Sequence, residues 1–237
     1  MTDRLYNTLT AFDDDIFRNI TERHIEPGDP FDDLTEGEES LADTAHLVEK
    51  RVRRHRGHGE PGVIEPLPTH LNIINVPFER DTFFPTRYSD GSFAAWYGSI
   101  EPATTVYETA YHMIRAELAL EGMDHPVVRE RSIYQVHCNA LAIDLRGKQD
   151  EFPQLISNSY DFTHQIGARL KQEGHPAAVV PSARCKGDNV VVFNRIVLAN
   201  PRHHTHLQYV FDPEQITVTV HGLPNQSELI VSGHQWF

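Results

Sequence analysis

Two stretches concentrate the residues able to do chemistry. The first is Arg87-Tyr88-Ser89-Asp90-Gly91-Ser92-Phe93-Ala94-Ala95-Trp96-Tyr97-Gly98, followed by Thr105-Val106-Tyr107-Glu108-Thr109-Ala110-Tyr111-His112. The second, much later, is Val180-Pro181-Ser182-Ala183-Arg184, then Asn189-Val190-Val191-Val192-Phe193-Asn194. A guanidinium matches phosphate oxygens through its planar fork, so Arg87 suits a phosphate clamp as well as an exposed turn. A carboxylate at Glu108 is able to stabilise positive charge in a transition state, or to pair in solvent with His112 four residues on. Tyr97 fits ring stacking and hydroxyl hydrogen bonding, or plain packing in a sheet; Tyr88, beside Arg87, is a second aromatic of the same kind. Ser182 follows Pro181 at the end of an apolar run. The G-x-S-x-G elbow of a hydrolase nucleophile is absent, so its hydroxyl reads as a binding group or an ordinary turn serine. Asn194 fits a pocket hydrogen bond or a strand-end cap, and Arg184 an anion contact or a surface charge.

Fifteen histidines raise the question of a metal. The densest group, His203-His204-Thr205-His206, reads as a loop without fixed ligand geometry. No H-E-x-x-H or paired C-x-x-C accompanies it, and no metal is expected. Cys138 and Cys185 are too far apart for a zinc spacing or a disulfide framework, which suits a reducing cytoplasm.

The elements that must position these residues are legible in part. Leu5, Leu9, Phe12, Ile16, Phe17 and Ile20 recur at helical spacing and predict a first amphipathic helix. Pro27, Gly28, Asp29 and Pro30 end it. A second helix is expected over Ser40–Arg54, closing in the basic run from Lys50 to Arg56, whose cations favour the negative end of a helix dipole. Gly57-His58-Gly59-Glu60-Pro61-Gly62 matches G-x-G-x-x-G, but no strand precedes it, so 57–70 reads as a linker. Phe93–Gly98 is strand-like. Pro102–Leu120 reads as a helix with Pro in its first turn and Gly122 at its stop. Strands are expected at Ser132–Cys138 and Ala140–Leu145, separated by a turn. A helix over Tyr160–Glu173 is closed by Gly174. Further strands fall at Ala177–Val180, Val190–Phe193, Leu207–Phe211 and Ile216–Val220. This mixture is α+β, and the lack of regular βαβ alternation argues against a Rossmann sheet.

The ordered set of an Arg before a turn, a strand ending in Tyr, a helix carrying Glu, a Pro-Ser-Ala-Arg turn and an Asn-containing apolar strand resembles the RES domain family over roughly residues 70–200. The resemblance implies an ADP-ribosyltransferase-like α+β core of two small sheets with a cleft, here 67–237, preceded by an acidic, mainly helical extension, 1–66. It implies a toxin-like enzyme that cleaves the nicotinamide–ribose bond of NAD+ by phosphorolysis or hydrolysis. NAD+ is then substrate rather than cofactor, and inorganic phosphate a possible co-substrate. Transfer of ADP-ribose to a protein is the alternative, and a non-catalytic binding module the reading from another class. Arg87, Tyr97, Glu108 and Ser182 carry over as catalytic residues. Asn194 carries over as a weaker fifth, a substrate contact, and Tyr88 is a further substrate-contact candidate from its place beside Arg87. Phe83-Phe84-Pro85-Thr86 replaces the family's glycine-rich approach to the Arg, which makes Arg80 a rival anion contact. The implied partner is an Xre-type helix-turn-helix antitoxin, with self-association of the chain as a further expectation.

Composition fits this picture. The 237 residues carry a net charge of −13, which repels nucleic acid overall yet leaves room for a local basic pocket. No apolar run approaches the roughly 20 residues of a membrane span.

Overall fold

A computed structural model describes residues 4–22, 72–120 and 125–237. The helix expected over Ser40–Arg54, its basic end and the 57–70 linker with its G-x-G-x-x-G match lie outside these residues.

The chain order is β1 (Leu9–Thr21), α1 (Asn72–Asn75), β2 (Pro85–Thr86), β3 (Ser89–Asp90), β4 (Trp96–Ser99), α2 (Pro102–Leu118), β5 (Val127–Asp144), α3 (Asp161–Gln172), β6 (Ala177–Pro181), β7 (Asp188–Val192), β8 (Leu198–Asp212), β9 (Thr217–His221) and β10 (Glu228–Ser232). The class is α+β. In place of two small sheets, the described residues form one eight-stranded mixed sheet, β1-β4-β7-β6-β5-β8-β9-β10, and the short β2–β3 ladder. β1 also pairs with β5, so strands β1, β4, β7, β6 and β5 form a closed circuit from which β8, β9 and β10 extend as a wing.

Residues 9–21, expected as a helix, are strand β1. Each of them is paired antiparallel with β5, from Leu9 opposite Ile143 to Thr21 opposite Arg131. The spacing misleads for a physical reason. Phe12, Ile16 and Ile20 are four apart, an even interval that keeps one face in a strand as well as in a helix. Ile16 packs in one core cluster with Phe12 and Ile20 against it, while its neighbour Phe17 packs against another. A strand buried on both faces loses its alternation.

Among the described residues, three core clusters hold the fold. The first draws Ile16, Trp96, Val136, Cys138, Ala142, Val179, Val190 and Val192 from all five strands of the circuit. The Trp96 indole N–H donates to the Ile73 carbonyl at 2.8 Å, satisfying its one polar atom. The second joins β6 and β7 to α3 through Ala178, Val180, Val191, Ile166 and Leu170. The third lays Val106, Ala110 and Ile114 of α2 on Leu207, Phe211, Val218 and Val231 of the wing.

Other expectations shift in detail. Ser132–Cys138 and Ala140–Leu145 are one continuous strand, because β1 pairs straight across the expected turn, Asp13 opposite Asn139. The 203–206 histidines lie within β8, not in a loop. Register shifts against β5 and a positive φ at Asn200 let Pro201 sit in that strand. β10 carries no expectation from the sequence pattern above. α2 and α3 stand close to their expected bounds, and Gly174 follows α3 at φ +80°.

Candidate active site

The β2–β3 turn, the end of β4, the middle of α2 and the edges of β6 and β7 meet at a cavity of about 140 Å³. Arg87, Tyr88, Tyr97 and Glu108 line it, together with Phe17, Arg18 and Asn19 of β1. By residue type alone each of the first four also suits a surface or packing position; the fold brings them to one place.

Glu108 is held through one oxygen. Its Oε1 accepts from the Ser182 hydroxyl at 2.6 Å and from the Asn189 side-chain amide at 2.8 Å. Oε2 accepts no hydrogen bond from the described residues, so the carboxylate is fixed in orientation with one oxygen left for a ligand. Ser182 is buried and its Oγ accepts from the Arg184 and Cys185 amides at 3.0 and 3.2 Å. Those two acceptor contacts orient its proton toward Glu108. Ser182 does not itself line the cavity, so it positions the carboxylate rather than the ligand. Asn189 is a further cavity residue, fixed by the Ser99 hydroxyl donating to its Oδ1 at 2.6 Å.

Arg87 stands in the β2–β3 turn. Its Nη1 donates to the Ser157 carbonyl at 2.7 Å, and its guanidinium carbon lies 4.4 Å from the Tyr160 ring centroid. The stacking and this hydrogen bond hold the guanidinium at the cavity wall. The Tyr97 hydroxyl accepts from the Tyr88 amide at 2.8 Å and shares a 2.7 Å hydrogen bond with Thr86 Oγ1, which ties β4 to the Arg87 turn. Tyr88 is fully buried, and burial pushes its phenol far above the ordinary range. Its hydroxyl has no hydrogen-bond partner among the described residues, so it remains a protonated donor.

His112 also lines the cavity. Burial first, then the charges of Arg184, Arg87, Arg115 and Arg131, push its imidazole down to about 3. Its Nδ1 is enclosed and lacks a partner among the described residues. A neutral imidazole with so low a pKa is a poor base at neutral pH. The proposed ion pair with Glu108 does not form. Arg184 is neither a surface charge nor a cavity residue. It is buried, its guanidinium carbon sits 3.3 Å from the Tyr111 ring centroid, and Nη1 donates to Asn158.

Two expected contacts fall elsewhere. Asn194 follows β7, is exposed, and caps the next turn by accepting from the Ile196 amide at 3.2 Å. It lines a separate surface pocket with Phe78 and Lys171. Asn189, near the start of β7, occupies the place expected of Asn194. Arg80 is exposed on a short 3-10 turn outside the cavity. The second cation at the cavity is Arg18, whose Nη1 donates to the Tyr97 carbonyl at 3.1 Å. Asn19, beneath it, donates to Tyr209 Oη at 2.9 Å and accepts from Arg131 Nε at 2.8 Å, giving the cavity a fully bonded polar floor. Arg18 and Asn19 are absent from the sequence expectations because the segment that carries them reads as a helix. Asn189 was visible only as one polar residue opening the run Val190–Val192.

No described helix is long and apolar enough to cross a membrane. No curated protein matches the chain. Among solved structures, it is similar to one described as the crystal structure of the M. tuberculosis MbcT–MbcA toxin–antitoxin complex, at 10% identity and a TM-score of 0.42, over 83% of this chain and 86% of that one. The RES domain matches residues 48–212, more than half of the sequence and a span that holds Arg87, Tyr97, Glu108, Ser182 and Asn189. This chain belongs to the RES domain family.

Proposed function

We propose that this protein cleaves the nicotinamide–ribose bond of NAD+. The observation that carries the reading is Glu108, fixed through Oε1 by Ser182 and Asn189 and facing a cavity that Arg87 and Arg18 make locally basic in a chain of net charge −13. Loss of neutral nicotinamide from its cationic form leaves an oxocarbenium-like ribose. A carboxylate held beside it stabilises that charge without having to reorganise. The C1′–N bond breaks and its electron pair leaves on nicotinamide. A new C1′–O bond then forms, either with inorganic phosphate or with water, and the water proton passes to solvent. Arg87 holds the pyrophosphate, and Tyr97 and Tyr88 bound the nicotinamide ribose. The cavity is smaller than the roughly 300–1,000 Å³ of a complete ligand pocket, so it takes one end of the dinucleotide.

In this reading the protein acts in the cytoplasm as a toxin, and an Xre-type helix-turn-helix antitoxin is its partner. ADP-ribosyl transfer to a protein uses the same carboxylate with a different acceptor.

The test is NAD+ loss by the intact chain and by Glu108→Ala, with and without phosphate. Loss that needs phosphate and falls at least about 100-fold in the variant supports phosphorolysis at Glu108. Loss independent of phosphate supports hydrolysis or transfer, separated by following adenine-labelled NAD+ into protein. Equal loss in both proteins, or none in either when folded, overturns the reading.

A further inference from the structure

We propose that Glu22, His203 and His206 form a binding site for one divalent transition-metal ion of the zinc type, a clip across the adjacent strands β1, β5 and β8. Their ligand atoms all lie within 4.8 Å of one another. The proposal is independent of NAD+ chemistry, and none of the three residues lines the cavity.

The backbone builds this convergence. Residues three apart in a regular strand point to opposite faces. His203 and His206 share one because β8 carries an extra residue between them. Thr205 stands opposite Ile133 and His203 opposite Tyr134, so His204 is left over and resets the alternation. His206 therefore lies opposite Ser132, and His203 opposite Tyr134, on the same face of β5. The two imidazole centroids are 4.1 Å apart. On the other side of β5, Ile20 pairs with Ser132, and Glu22, two residues on, extends the same face; its amide donates to the Glu130 carbonyl at 2.8 Å.

Ser132 stands at the centre. Its Oγ lies 3.3 Å from His203 Nε2 and 3.1 Å from His206 Nδ1, and it donates to Glu22 Oε1. The same carboxylate oxygen bonds His206 Nδ1. Two imidazole nitrogens and a carboxylate oxygen are the donor set that zinc and its neighbours in the first transition row prefer over calcium or magnesium. At 2.0–2.2 Å from one ion, two tetrahedral ligands are roughly 3.4 Å apart, which small side-chain rotations reach from the present positions. The ion takes the place of the direct hydrogen bond between His206 Nδ1 and Glu22 Oε1. His206 is exposed, with 70% of its side chain accessible, so solvent supplies the fourth ligand. Ser132 then acts as a positioning hydrogen bond to the liganding carboxylate.

The full-length chain, stripped with a chelator, is titrated with Zn2+ against a chromophoric competitor, and with Co2+ read by its visible absorption. One equivalent is expected, with a tetrahedral cobalt spectrum and a raised Tm. His203→Ala/His206→Ala abolishes that equivalent, Glu22→Gln weakens it at least about tenfold, and Ser132→Ala by about tenfold. His234→Ala, an exposed histidine elsewhere, leaves it unchanged. If the double variant does not fold, His206→Ala and Glu22→Gln report alone. No bound equivalent in the wild type, or one that survives these substitutions, overturns the site and assigns any binding to scattered surface histidines.

Discussion

His112 illustrates how a buried group ties the cavity to stability. Its folded pKa of about 3 lies below the ordinary 6.5, chiefly through burial and then through nearby arginines. The unfolded chain therefore takes up a proton there near pH 6.5 while the folded chain does not. Stability from this group is whole above pH 6.5, falls by about 1.4 kcal/mol per pH unit below it, and is gone below about pH 3. In urea unfolding from pH 6.5 to 5, the wild type is expected to lose up to about 2 kcal/mol more than His112→Gln. Parallel pH curves for the two proteins would refute a buried neutral imidazole. At this scale the sequence was informative where chemistry restricts residue type. Arg87, Tyr97 and Glu108 do meet at one cavity, and Ser182 reaches it through Glu108. It was uninformative where two residues of one type flank a strand. Asn189 and Asn194 are equivalent in one dimension, and only the pairing of β7 with β4 and β6 turns the first toward Glu108 and leaves the second as a turn cap.

Between elements, α3 approaches the Arg87–Tyr88 turn more closely than a side chain allows. A Cβ at Gly167 would lie 1.8 Å from the Tyr88 carbonyl oxygen. Glycine costs an ordinary helix interior up to about 1 kcal/mol relative to alanine, so on propensity alone Gly167→Ala should stabilise. Here the clash is with backbone, which cannot rotate away, and the helix or the turn has to move. Gly167→Ala is expected to lower stability by about 1–3 kcal/mol in thermal or urea unfolding. If the proposed NAD+ cleavage takes place at this cavity, it should weaken too, because Arg87 and Tyr88 line the cavity. Gln165→Ala, on the exposed face of the same helix, should change neither. A Gly167→Ala protein as stable and active as wild type would mean that the contact is not held in solution. The helices α2 and α3 were legible because each shows one apolar face between a recognisable start and stop. Long strands were not. β5 contains a polar Asn139 and β8 a run of histidines with Pro201, and both read as breaks until their partners are known.

For the whole molecule the decisive element is β1, a strand where local pattern predicts a helix. Its partners lie far along the chain, Thr21 and Arg131 being 110 positions apart. Contacts at such separation cost loop-closure entropy before they contribute, so folding is expected to be slow and its success to depend on this one strand. β1 closes the five-strand circuit, covers β5 through all thirteen of its own residues, and supplies Phe17, Arg18 and Asn19 to the cavity. The segment is therefore part of the unit that forms the core and the cavity. A chain lacking residues 1–22 would expose the edge of β5 and part of the first core cluster, an open strand edge of the kind that aggregates. It is expected to show no cooperative unfolding transition and no NAD+ loss. A synthetic peptide spanning 4–22, added during refolding, should recover both in part, because β5 already presents the complementary ladder. Were the shortened chain to melt at the wild-type temperature and turn over NAD+ as before, β1 would be an accessory strand. The Glu108 constellation would then have to operate without Arg18 and Asn19.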